Sequence, residues 1–172
     1  MITIDYFKKE PIWIYVPEQS AGIPQDVATN ELQRLETAIE FYEEEYLTYL
    51  LGSELYEEFI ATFDDVKWDY LKALLVNEDK LRSPIANYIY CKYIYSRQFE
   101  STNGIRWNAT KSDNVEQVSI FPQYSKAWNK MVEWNNKLFK YLLGDFSDVE
   151  TTAELDYSAW ESECLNKKET WL

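Results

Sequence analysis

The sequence predicts an all-α protein: a helical bundle of about four to five helices with an N-terminal extended arm and a β-hairpin or long loop between the last two long helices. Apolar residues recur at spacings of three and four through most of the chain. Helix start and stop residues fall at the ends of those stretches. Only the segment 105–110 alternates at period two.

The central element is the stretch 83–100. Ser83 suits an N-cap, where its hydroxyl accepts a bond from an unpaired backbone N–H, and Pro84 suits the first helical position, where no N–H is needed. Ile85, Tyr88, Ile89, Tyr90, Cys91, Tyr93, Ile94, Tyr95 and Phe99 then place apolar surface on nearly every face. Such a helix is covered all round, by its own domain or by a neighbouring subunit.

Residues 1–25 carry Pro11, Pro17 and Pro24 around Ile12-Trp13-Ile14-Tyr15-Val16, the composition of an extended arm or edge strand. The arm either straps its own bundle or reaches a partner. Residues 26–51 form an amphipathic helix with Leu32, Leu35, Ile39, Tyr42, Tyr46 and Tyr49 on one side. Its Glu43-Glu44-Glu45 run points three ways and reads as a solvated face. Gly52 suits the left-handed stop of this helix and Ser53 the N-cap of the next, whose stripe is Leu55, Tyr56, Phe59, Ile60 and Phe63 and whose end falls near Asp64. Asp64 or Asp65 caps a further short helix with Trp68, Leu71, Leu74 and Leu75 buried, ending at Asn77.

After the central helix, Ser101-Thr102-Asn103-Gly104 breaks the pattern. A hairpin is expected from 105–110, a turn at 111–114 and a return over 115–120. Trp107 either serves a contact or folds back over Tyr95 and Phe99. Pro122 opens the last long helix, striped by Trp128, Met131, Val132, Asn135, Leu138, Phe139 and Leu142, with Trp134 off the stripe and Gly144 beyond its end. The chain thus divides into an arm (1–25), a bundle (26–143, with the loop 101–121) and a C-terminal tail (144–172). The tail holds 8 acidic residues against Lys167 and Lys168, together with Tyr157, Trp160, Cys164 and Trp171. Its polar part, 145–156, reads as a linker, and Tyr157, Trp160 and Cys164 share one helical face. That face needs a surface, either its own bundle or an adjoining component with a basic groove.

Composition narrows the function. A net charge of −13 argues against nonspecific wrapping of nucleic acid. The absence of histidine removes His-based triads and most catalytic zinc sites, and four glycines are too few for a phosphate-cradling loop. Cys91 and Cys164 have no metal spacing, and Cys91 reads as a core residue. No enzyme, cofactor or metal is expected. No secretory signal or membrane-spanning run is visible, which implies a cytoplasm-like compartment. Aromatic residues make up 17% of the chain, enough either to fill a core poor in Leu and Val or to dress half-wet interfaces.

Over roughly residues 27–143 the chain resembles the small helical head-tail connector (head completion, or adaptor) proteins of tailed bacteriophages. The resemblance rests on Leu51-Gly52-Ser53-Glu54-Leu55-Tyr56, the Tyr-rich helix after Pro84, Thr102-Asn103-Gly104-Ile105, and the helix ending Tyr141-Leu142-Leu143. It implies a structural virion protein of a phage or prophage, assembled in the bacterial host cytoplasm. It further implies a homo-oligomeric ring, usually of about twelve copies, between a portal protein and the tail or next connector. DNA would pass through its channel without specific binding. The alternative is a helical protein-protein interaction module without a ring role. The expected interface residues are Trp13, Ile105, Arg106, Trp107, Tyr157, Trp160 and Trp171.

Overall fold

A computed structural model of the chain describes residues 1–14, 25–98, 101–102, 105–106 and 121–142. They are mostly helical. The helices are α1 (Gln25–Leu51), α2 (Ser53–Ala61), α3 (Asp69–Leu75), α4 (Pro84–Gln98) and α5 (Phe121–Leu142). α4 packs between α1 and α5, and every residue from 83 to 91 is buried. The all-round apolar pattern thus has its cause in the architecture.

Each junction has a local reason. α1 and α2 are joined by Gly52 alone, whose N–H bonds Thr48 O at 2.9 Å while its carbonyl accepts from Tyr56 N at 3.0 Å. Its φ of 75° is open to glycine at little cost. Because the turn takes a single residue, Ser53 falls inside α2 rather than capping it, and Gly52 stands at the cap with no side-chain bond. α2 stops at Ala61, earlier than its stripe implies: Thr62 still closes the last helical bond to Glu58 O through its N–H (3.0 Å), joined by its hydroxyl (2.8 Å), but its backbone leaves the helical region at a φ of −125° and a ψ of 32°. The indole of Trp68 then donates to Thr62 Oγ1 at 3.0 Å and meets Phe59 edge-on, locking the corner.

Asp65 caps as expected, accepting from Lys67 N at 3.1 Å, but it opens a 3₁₀ turn (Val66–Trp68) that leads into α3. α3 ends at Leu75 rather than Asn77, since Asn77 is drawn into a two-bond bridge with Arg82. Ser83 is the strongest single joint. Its buried hydroxyl accepts from Ile85 N at 3.0 Å and Ala86 N at 3.4 Å and donates to Leu75 O at 2.7 Å, tying the end of α3 to the start of α4.

Residues 1–14 lie against the bundle. Ile2, Tyr6, Phe7, Ile12 and Ile14 are buried, a 3₁₀ turn occupies Ile4–Phe7, and Ile14 N bonds Phe7 O at 2.8 Å. Residues 12–14 form no strand, and of the two readings of the arm these fourteen residues follow the strap. Residues 15–24 lie outside the described part. The helical pattern breaks before Ser101 as expected, α4 ending at Gln98, and Ser101–Thr102 forms β1, antiparallel to β2 (Ile105–Arg106) with Thr102 opposite Ile105. The residues between them, Asn103 and Gly104, are the sequence most favoured in two-residue hairpin connections. The return over 115–120 lies outside the described residues. α5 buries the expected Trp128, Met131, Val132, Asn135, Leu138 and Leu142, together with Tyr141, while Phe139 is only half-buried.

Ser83→Ala removes both a cap and the tie to Leu75 O, leaving buried backbone groups unpaired. The variant is expected to lose about 1–2 kcal/mol of unfolding free energy in urea titration. A change within error would mean that the hydroxyl does not join α3 to α4.

Candidate interaction surface

α4 is covered on all sides only over its first part. From Lys92 onward its described residues emerge, apart from buried Tyr93, and Tyr95 is 50% exposed. The emergent half of α4, the adjoining face of α1 and the end of the N-terminal strap form a mixed aromatic and charged surface. Glu31 of α1 is held by both guanidinium nitrogens of Arg97 (3.1 and 3.0 Å) and by Arg34 at 3.2 Å. Such a two-point fork fixes orientation as well as charge. The Arg97 guanidinium also lies 6.0 Å from the centre of the Tyr93 ring.

Two shallow cavities flank this pair. One, about 350 Å³, is walled by Pro11, Trp13, Ile14, Glu31, Tyr93 and Arg97. The other, about 430 Å³, includes Arg34, Phe41, Tyr42, Tyr93 and Arg97. Trp13 (51% exposed) and Phe41 (61%) stand at their rims. Exposed apolar groups rimmed by charged ones mark contact surfaces more often than solvent-only faces, and Trp, Tyr and Arg are the residue types that most often anchor interfaces.

Of the residues expected at an interface, Trp13 is the one whose side chain is described, and it is half exposed. Ile105 and Arg106 are placed on β2, with their side chains outside the described part, and Trp107, Tyr157, Trp160 and Trp171 also lie outside it. Sequence reading missed Arg97, Glu31 and Phe41. Phe41 was detectable, because it falls off the α1 stripe beside Tyr42. Glu31 and Arg97 are 66 residues apart, and no local pattern pairs them.

The Glu43-Glu44-Glu45 run needs correction, since only Glu44 is solvated. Glu43 accepts from Ile2 N at 3.0 Å and pairs with the Met1 amino group at 2.9 Å, pinning the strap to α1. Glu45 accepts from the Tyr88 hydroxyl and from Lys92 Nζ at 2.7 Å, pinning α1 to α4. Burial alone would raise the Glu45 carboxyl, but the bonds from Lys92 and Tyr88 and the Lys92 charge bring it below the ordinary carboxylate value. Burial first, then the bond to Glu45, holds the Tyr88 hydroxyl above the usual tyrosine range.

Cys91 is a core residue, as its neighbours imply. Its thiol donates to Tyr124 O at 3.5 Å and is pushed up to about 12 by burial, so it stays protonated and unreactive near neutral pH. Among the described residues no group of three His, Cys, Asp or Glu side chains could hold a metal ion, and no helix is long and apolar enough to cross a membrane. In comparisons with known proteins, no family model, no curated protein and no solved structure matches this chain.

The lowered Glu45 value gives a pH signature. A folded carboxyl held below its unfolded value stabilises the fold fully above about 4.5, and that contribution is lost as pH falls through the lowered value. Glu45→Gln is expected to cost about 1–2 kcal/mol near neutral pH and nothing once the wild-type carboxyl is protonated. Urea titrations over the acid range should therefore converge at low pH, and parallel curves would remove Glu45 from the acid limb.

Proposed function

We propose that this protein is a structural connector, a ring-forming adaptor between portal and tail of a tailed phage or prophage. The observation that carries the reading is the surface on which Trp13, Phe41 and the Arg34–Glu31–Arg97 cluster surround two cavities that share Tyr93 and Arg97. Ring closure uses heterologous contacts, in which one patch meets a different patch on the next copy. An aromatic surface with fixed charges supplies both adhesion and register for such a contact. A net charge of −13 agrees with a channel component past which DNA slides without adhering. The resemblance over residues 27–143 supplies the remaining specificity of the reading: portal, tail or next connector, and a ring of about twelve copies.

The test is assembly. Purified protein mixed with a candidate portal protein is expected to give closed rings in negative-stain images. Phe41→Ala combined with Arg97→Ala is expected to weaken ring formation about tenfold or more, with a circular dichroism spectrum and urea midpoint close to those of the parent. Pairwise binding with no closed ring would leave a helical interaction module in its place.

A further inference from the structure

The charge on this chain is polarised. α1 carries seven acidic residues against Arg34, whereas α5 carries Lys126, Lys130, Lys137 and Lys140 against Glu133. At the helical turn angle those four lysines fall within an arc of about 80°, and all four are exposed. The stripe they form runs from the end of α5 back into a groove of about 860 Å³.

That groove lies between the N-terminal strap, the turn before α4 and the first half of α5. Lys9, Lys80, Arg82 and Lys126 stand around it, and none of the four makes an ion pair among the described residues. Glu10 and Glu133 are its acidic members, and Glu133 pairs with Lys130 at 3.0 Å. The apolar part of its wall is Ile12, Leu81, Ala127 and Trp134. Asn129 in the same wall has a buried side-chain oxygen with no hydrogen-bond partner. Lys80 and Arg82 are fixed in place by the Asn77–Arg82 bridge and by Lys80 N bonding Asn77 Oδ1 at 2.9 Å, with Leu81 held at a φ of 48° between them.

We propose that this groove is the docking site of the chain's own acidic, aromatic C-terminal segment, residues 157–172, led to it along the lysine stripe by residues 145–156. Charge complementarity carries the assignment: of the 8 acidic residues after Gly144, five fall in 145–156, which follows the lysine stripe, and Glu161, Glu163 and Glu169, beside Lys167 and Lys168, fall in the segment that reaches the groove, where Lys9, Lys80, Arg82 and Lys126 make no ion pair among the described residues. The aromatic content matches as well, because Tyr157 and Trp160 meet a wall that combines apolar surface with an unpaired carbonyl. Reach is sufficient. Leu142 is about 24 Å along α5 from Lys126, and the twelve residues 145–156 span up to about 40 Å when extended. Attachment to the same chain gives the segment an effective concentration of the order of millimolar, which favours it over the tail of a second copy. The overall acidity of the chain does not oppose this docking, because the body is not evenly acidic.

The experiment uses the full chain. A mixture of isotopically light and heavy protein is treated with a zero-length carboxyl-to-amine cross-linker and digested for mass spectrometry. Links from Glu161, Glu163 or Glu169 to Lys9, Lys80 or Lys126 are expected to dominate and to join peptides of one isotope. In Lys80→Glu/Arg82→Glu protein, with folding checked by circular dichroism, links to Lys9 and Lys126 should fall about tenfold. High salt should lower them in the parent. Links spread over all exposed lysines, links indifferent to the charge reversal, or mixed-isotope links as frequent as same-isotope ones would each overturn the proposal. None of these readings depends on ring formation.

Discussion

The requirement that α4 be covered on every side governs the rest of the molecule. Nine consecutive residues, 83–91, are buried, and each large apolar side chain among them contributes roughly 1.5–3 kcal/mol only if no face is left to water. Two antiparallel neighbours cannot enclose a helix. α1 and α5 supply two walls, and the strap formed by residues 1–14 completes the enclosure with Ile2, Tyr6, Phe7, Ile12 and Ile14. The strap is thus structural, and the Glu43 bonds that hold its first residues to α1 are a consequence of needing that wall in place.

Building the interior from tyrosine imposes a second constraint, because each buried hydroxyl needs a partner. Tyr88 meets it with Glu45 across the α1–α4 seam, and Tyr46 donates to Asn135 across the core between α1 and α5. These bonds set the rotation of each helix more sharply than apolar contact does, since an aliphatic stripe tolerates small rotations and a hydroxyl–oxygen bond does not. Asn135 retains one unpaired amide nitrogen, and Tyr6 an unpaired hydroxyl, so the polar accounting is not fully closed in the interior.

What was legible in the sequence follows from how local each cause is. Ser83-Pro84, Gly52 and the α5 stripe act within a turn or two of their own position, so their roles could be read directly. The strap could not be chosen over a free arm, because the choice depends on whether α1 and α5 leave α4 uncovered. Glu43 and Glu45 looked solvated because their partners lie about forty residues away in sequence. Arg97 and Glu31 failed to register for the same reason. The aromatic excess, read as either core or interface, proves divided: Trp68, Tyr46, Tyr88 and Phe59 are interior, while Trp13, Phe41 and Tyr95 are exposed.

The two surface features are not independent. Glu10, Pro11 and Gln123 line both the cavity beside Trp13 and the basic groove, so the end of the strap forms a shared ridge between them. A segment seated in the groove would border the surface of Trp13 and Arg97, and a neighbouring copy docked on that surface would meet both. A segment seated there would replace exposed cations with a more nearly neutral, aromatic surface facing the neighbour, which would alter which partner surfaces are admitted and how salt affects the contact. In that arrangement the overall charge of −13 is a poor guide to either surface. The relevant quantity is the charge on each face once the ridge, the groove and the segment proposed to fill it are taken together.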